Sequence, residues 1–192
     1  GLAAVALGFN SLKLDDAKVV IAGGQESMSN SPHYQNLRKG EKLDNEKMQD
    51  SMIIDGLLDV YNQYHMGVTA ENVAEKYQIT RAQQDEFAVK SQSKAAEAIK
   101  TNKFKDEIVP IKIKDEKIFD TDEYPKIGTT MEKLSTLKTV FKKDGTVTAG
   151  NASGLNDGAA ALTIMNGKTA KEKNLKPLAK IVSWAQCGVD PS

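Results

Sequence analysis

Residues 146–162 read TVTAGNASGLNDGAAAL, and the fold is decided by how this run is understood. It holds three glycines, two asparagines and a serine, and no side chain bulkier than leucine. Such a stretch admits two readings. Small residues can make a tight turn at an ordinary junction, or they can let a ligand lie against backbone amides, with short polar side chains as handles. The segment AAALTIMN reads as a buried strand beginning at Ala159, which makes Asn156-Asp157-Gly158 the turn into it.

Working outward, the chain opens with LAAVALGFNSL. Leu2, Val5, Ala6 and Phe9 recur at helical spacing, and no capping residue precedes them. In DDAKVVIAGG, the run Val19–Ala22 predicts a buried strand closed by a tight turn at Gly23-Gly24. A helix followed directly by a strand marks an α/β layer. Strand-type core segments are thus expected at 19–24, 158–165 and, in LAKIVSWAQCGV, at 178–189. The long interval between the first two cannot be a plain loop. It predicts an inserted subdomain: 1–27 core, 28–145 insertion, 146–176 return to the core, and 177–192 the start of a second core.

Within the insertion, residues 25–66 are polar and turn-rich, with a short helix broken near Gly56. Thr69 precedes a helix with a stripe of Ala70, Val73, Ala74 and Tyr77. Thr80 and Gln83 form a capping box for a helix whose narrow face carries Phe87, Ser91, Ala95, Ala98 and Ile99. Ile108, Ile111 and Ile113 alternate as in a strand, with Pro110 suggesting an edge. GKTAKEKN predicts a short helix or turn.

Composition excludes several classes. Lys+Arg and Asp+Glu are equal at 26 each, unlike the basic balance of a dedicated nucleic-acid binder. No apolar run reaches the ~18–20 residues of a membrane span, and no signal peptide is recognisable. The single cysteine, Cys187, reads as a small packing residue, forms no internal disulfide and suits a reducing cytoplasm. Two distant histidines predict no metal site. Lys126, Lys133, Lys138, Lys142 and Lys143 read either as a solvated face or as a surface meeting a phosphorylated ligand. No P-loop pattern is present, and Gly23-Gly24 alone is no dinucleotide fingerprint. His65, just before a helix, can be structural or can donate to a ligand; His33 reads as surface.

VVIAGGQESMSNSPHY, DGLLDVYNQYHMGVTAENVAEKY, FKDEIVPI and VTAGNASGLNDGAAAL, in that order, resemble successive signatures of the thiolase family across essentially the whole chain. HMGVTAENVA is closest in type to the short-chain, biosynthetic acetyl-CoA acetyltransferase branch. The resemblance implies an α/β fold, a partial thiolase-like layered core carrying a large inserted α+β loop subdomain. It implies reversible condensation of two acetyl-CoA to acetoacetyl-CoA and free CoA through a cysteine thioester. It implies a homotetramer and no cofactor other than the coenzyme A thioester substrate. By match to the motifs, Leu57, His65 and Met66 would line the pantetheine tunnel and Phe141 would help close it. Ser153, Gly154 and Leu155 would follow the pantetheine arm. Ala149, Gly150, Lys126, Lys133 and Val140 would lie toward the nucleotide. Lys126 stands where relatives often have arginine, and an ammonium lacks the stacking plane of a guanidinium.

The resemblance also implies that the nucleophilic cysteine lies just before Gly1, and that the NEAF, GHP and CxGGG motifs lie beyond Ser192. The chain is therefore expected to be an internal piece with no catalytic residue of its own, inactive alone. Two rivals stand beside this reading: a non-enzymatic thiolase-like CoA or lipid-binding module, and a ketoacyl synthase, which lacks a CoA-covering loop domain of this size.

Overall fold

The structure, a computed structural model, describes residues 1–192. In chain order it comprises α1 (Leu2–Lys13), β1 (Val19–Ser27), β2 (His33–Tyr34), β3 (Gln49–Asp50), β4 (Leu58–Asp59), β5 (Tyr64–His65), α2 (Met66–Lys76), α3 (Arg81–Lys100), β6 (Ile111–Lys112), β7 (Ile118–Phe119), α4 (Met131–Ser135), β8 (Asp157–Met165) and α5 (Gly167–Glu172). These divide into two compact units. One comprises Gly1–Met52 and Leu155–Asp190, the other Ile53–Gly154 with the last two residues.

In the first unit β1 and β8 form an antiparallel ladder from Val19↔Met165 to Ser27↔Asp157. The ladder corrects two expectations. β1 does not turn at Gly23-Gly24 but runs through them to Ser27, and β8 starts at Asp157, so Asp157-Gly158 is strand rather than turn. The glycines serve close approach instead. A Cβ on Gly23 would collide with the carbonyl of Ala160, and one on Gly24 would lie 3.0 Å from the Gly1 nitrogen. Asp157 accepts from the Ser29 backbone N–H (3.0 Å) and from its hydroxyl, which ties the turn after β1 to the start of β8.

α1 packs on this ladder through Gly8, where an added Cβ would lie 2.8 Å from Ile164 and 2.9 Å from Val20. Its buried residue is thus Gly8, and Leu2 of the expected stripe is exposed. The strands are not buried on both faces either. Ala22 is buried, whereas Ile21 and Leu162 lie open. Nor is 178–189 a strand: it pairs with no strand of the chain, and without a ladder its backbone has nothing to hold it in a sheet.

In the second unit the helices form where expected, but on different faces. α2 starts at Met66 with His65 as its cap, its Nδ1 accepting from the Gly67 N–H at 3.0 Å, four residues before the expected start. Its buried residues are Gly67, Glu71 and Ala74, while Ala70, Val73 and Tyr77 are exposed. The capping box of α3 is present as expected, with Thr80 accepting from Gln83 N–H and Gln83 answering. Its buried residues are Asp85 and Ala98, with Ala95 and Ile99 half-buried; Phe87 and Ser91 point to solvent. The segment around Gly56 is one wide π-type turn, Met52–Leu57. Of the expected strand at 108–113, only Ile111–Lys112 pairs, in a tight hairpin with Ile118–Phe119.

The displaced faces have one cause. Two carboxylates, not aliphatic side chains, hold these helices to the chain that returns from α4. Glu71, 4% exposed, accepts from the Thr146 N–H (2.9 and 2.8 Å), the Thr146 hydroxyl (2.8 Å) and the Val147 N–H (2.7 Å). Asp85, 1% exposed, accepts from Arg81 Nε (2.8 Å) and Asn151 Nδ2 (3.0 Å). Arg81 also donates to the Leu134 and Leu137 carbonyls, so the pair joins α3 to α4 and to the loop beyond. A buried charge is tolerated only when its bonding capacity is met: Asp85 is ion-paired with Arg81, and Glu71 is satisfied by hydrogen bonds from Thr146 and Val147.

Burial by itself would raise the Glu71 pKa. The N–H groups of Val147 and Thr146, the Thr146 hydroxyl and the nearby Lys142 ammonium outweigh it and hold the carboxyl below its ordinary 4.5. A carboxylate depressed on folding stabilises the native state above its unfolded pKa, and that stability is lost as pH falls through the folded value. Glu71→Gln is therefore expected to cost about 2 kcal/mol at neutral pH. Its stability should also fall less steeply than wild type as pH drops below 4.5. Urea unfolding across that range checks both, and parallel pH curves would refute the assignment.

Candidate functional site

The sequence-derived site residues of the second unit fall into three neighbouring groups. The first is an aromatic wall. β4 and β5 pair with Leu58 opposite His65; Leu57, the last residue of the π-type turn, and Met66, the first of α2, flank this pair along the chain. The His65 ring stacks on Phe141, centroids 4.7 Å apart and planes 22° from parallel. Because Nδ1 accepts from Gly67, the neutral ring carries its proton on Nε2 and offers a donor there. Met66 is half exposed. Gly67 is required beneath this wall, since a Cβ there would penetrate the Phe141 ring.

The second group lies on the returning loop. Thr139 bridges Thr148, and the Val140 N–H donates to the Val147 carbonyl at 3.1 Å. Within the loop, Asn151 donates to Asp85 and to the Thr146 carbonyl (3.0 Å), and accepts from the Thr148 N–H (2.8 Å). Thr148, fully buried, accepts from the Gly150 N–H through its hydroxyl. Ala149 is left exposed at the crest of this turn, and Gly150 sits where a Cβ would lie 2.5 Å from Leu134 and 2.6 Å from Leu137. Lys133, on α4 beside Leu134, turns its ammonium to the Gly128 carbonyl at 2.9 Å.

The third group centres on Tyr124. Its ring lies against Gly154, where a Cβ would meet the ring carbons and hydroxyl at 2.5 Å, and the Lys126 ammonium stands 5.4 Å from the ring centroid. The tyrosine thus gives Lys126 the aromatic plane that its own side chain lacks, as a cation–π contact. Ser153 is exposed next to it. Leu155 falls in the other unit and is exposed there.

Four residues of this region escape the sequence reading: Glu71, Asp85, Tyr124 and Asn151. An acidic residue at the i+4 position from a helix-starting glycine, among small residues, was the one available signal for Glu71. Asp85 carries one local signal, Arg81 four residues earlier on α3, whereas its other partner Asn151 is far away in sequence.

Residues 1–168 match the family described as "Thiolase, N-terminal domain". The chain belongs to the thiolase family. Over 194 residues it is 55% identical to the acetyl-CoA acetyltransferase of Rhizobium meliloti, covering 100% of this chain and 49% of that protein. Over 196 residues it is 55% identical to the acetyl-CoA acetyltransferase of Cupriavidus necator, covering 50% of it. The crystal structure of the Bacillus anthracis acetyl-CoA acetyltransferase superposes with a TM-score of 0.93 at 45% identity, over all of this chain and 49% of that one. The structure of the Syntrophomonas wolfei acetyl-CoA acetyltransferase superposes at 0.86 with 42% identity, over 93% of this chain and 45% of that one. The α/β thiolase-like fold expected from the motifs is therefore the observed one. The chain spans about half the length of the curated relatives it matches. No helix is long and apolar enough to cross a membrane.

The aromatic wall generates a test. In an open helix, Gly→Ala is favourable by about 1 kcal/mol. At Gly67 the Phe141 ring already fills the space, so Gly67→Ala is expected to destabilise by about 1–3 kcal/mol. Adding Phe141→Ala should remove the collision, so the double variant loses less than the sum of the singles. Denaturant midpoints of the three variants measure this, and additive losses would contradict the packing described.

Proposed function

We propose that the chain is the coenzyme A-binding part of an acetyl-CoA C-acetyltransferase, which joins two acetyl-CoA into acetoacetyl-CoA and free CoA, reversibly. The observation that carries this reading is the likeness of the whole chain, at 55% identity, to proteins of that name. The geometry of the second unit supports it. The His65–Phe141 wall, with Leu57 and Met66 beside it, is an apolar face suited to a flexible pantetheine arm, with Nε2–H of His65 as a donor for a carbonyl. The small residues Ala149, Gly150 and Gly154 let a ligand approach the backbone, and the Ser153 hydroxyl is a handle for an amide. Lys126 and Lys133 are cations for the phosphates of the nucleotide, near Val140, and Leu155 follows Gly154 along the chain.

In this reading residues 28–145 correspond to the family's loop domain. The acyl-carrying cysteine and the NEAF, GHP and CxGGG motifs belong to the rest of the full-length protein. A cysteine immediately before Gly1 would stand at the N-terminus of α1, where the positive end of the helix favours a thiolate. Cys187 takes no part. We read the full protein as a cytoplasmic homotetramer. The exposed Ile111, Ile118 and Phe119 of the β6–β7 hairpin offer apolar area for a subunit contact.

The test is thiolysis of acetoacetyl-CoA by the full-length protein carrying this chain, followed by loss of the enolate absorbance, with CoA binding measured by calorimetry. Turnover is expected, and His65→Ala should raise the KM for the CoA thioester by about tenfold. CoA binding without turnover would favour the non-enzymatic module. Neither binding nor turnover would end the reading.

A further inference from the structure

We infer that Glu71 is a positioning residue for the coenzyme A thioester: it acts through the 146–150 loop and fixes the place at which Ala149 and Gly150 meet the ligand. The inference rests on the proposed function and adds to it a residue that lies within the HMGVTAENVA motif but to which the resemblance assigns no role.

The loop is also held by the Thr139–Thr148 bridge, by the Val140 N–H on the Val147 carbonyl and by burial of Val147 and Thr148, but its tie to α2 runs through Glu71. The Thr146 and Val147 amides, which lead into it, make their hydrogen bonds to the Glu71 carboxylate, and the Thr146 hydroxyl makes a third link to the same group. Gln84 donates to that hydroxyl from α3 at 2.8 Å, so the threonine is held from both helices. Beyond Val147, Asn151 closes the turn on itself and anchors it to Asp85. The crest Ala149-Gly150 is thus suspended between an anchor on α2 and an anchor on α3. The α2 anchor is also tied to the aromatic wall, because Glu71 lies one helical turn from Gly67, the residue on which Phe141 rests. One helix therefore sets the spacing between the wall and the crest.

The chemistry of the side chain is specific. Only a carboxylate can accept from two adjacent amides and a hydroxyl at once with two oxygens. A glutamine of the same shape presents one acceptor, and its NH2 group opposes one of the N–H donors. An aspartate keeps the acceptors but is one methylene short. A displacement of the crest on the order of 1 Å is enough to weaken binding substantially without touching the reacting groups.

The experiment compares full-length Glu71→Gln, Glu71→Asp and Thr146→Val with Thr80→Ala, which removes the α3 cap and lowers stability without removing a hydrogen bond to Glu71 or Thr146. Steady-state thiolysis is the readout, with unfolding midpoints measured in parallel. The expected result is a KM for the CoA thioester raised about tenfold in Glu71→Gln with kcat within about twofold. Glu71→Asp should fall between that variant and wild type, and Thr146→Val should show a smaller rise of the same kind. Thr80→Ala should leave KM unchanged despite its lower midpoint. If Glu71→Gln does not fold, Thr146→Val decides: an unchanged KM in it overturns the inference. An active wild type whose KM is unmoved in the Glu71 variants, or is moved equally by Thr80→Ala, also overturns the inference and leaves the proposed function standing. A wild type without turnover or CoA binding removes both.

Discussion

A buried carboxylate that accepts from two consecutive backbone amides sets the geometry of the second unit. Glu71 takes the N–H groups of Thr146 and Val147 at the point where the chain comes back from α4. Leaving those amides unpaired in a nearly closed space would be costly, and leaving the carboxylate unpaired would cost more. Neither can move without the other. The rotation of α2 about its axis is a consequence of this pairing. It turns Glu71 inward with Gly67 and Ala74, and so leaves Val73 and Tyr77 in solvent. The aromatic wall takes its position from the same rotation, because Gly67 on the same face receives Phe141.

Asp85 repeats the device one helix later, with Arg81 as its charge partner and Asn151 as the link to the loop. The two helices thus grip the same short segment by polar contacts, and the hydrophobic contribution is small. Ala74, Ala98, Leu134 and Val147 are the buried apolar residues of this unit. Small side chains let backbones come close, and close backbones need polar partners. The glycines at 67, 150 and 154 and the carboxylates at 71 and 85 are two sides of one solution. The first unit reaches the same closeness differently, with Gly8, Gly23 and Gly24 between α1, β1 and β8.

Much of this was legible in the residues. The helix α1, the strands β1 and β8, the capping box at Thr80 and the short helix α5 all stand near their expected places. The local signals that specify them, periodicity, caps and turn formers, act over a few residues. The faces of α2 and α3 were not legible. Periodicity assigns aliphatic residues to the inside, and here a distant amide pair and a distant asparagine draw acids inside instead. The turn expected at Gly23-Gly24 failed for a related reason: paired glycines signal close approach or reversal equally, and only the partner strand distinguishes them. The expected strand at 178–189 carries the right composition, but a strand exists only when a neighbour completes its hydrogen bonds. At the candidate site, the motifs marked His65, Phe141 and the 149–155 run. They could not mark Tyr124, which matters because Lys126 and Gly154 both meet its ring.

The run 146–162 shows where the division lies. Its composition determined that backbone would come close to something and that a strand would come after it, because glycine and alanine leave no other use for their space. The order of motifs determined the family. Tertiary structure decided the rest. Residues 146–152 are not a loose ligand path but a loop tied through Thr146 and Val147 to Glu71, through Asn151 to Asp85, and through Thr148 and Asn151 to itself. The boundary between the two units falls inside the run, between Gly154 and Leu155. Asp157-Gly158 is already strand, held by Ser29 at one end and by β1 along its length. The physical reason is that hydrogen-bond partners remote in sequence, unlike side-chain sizes, are brought together only by folding.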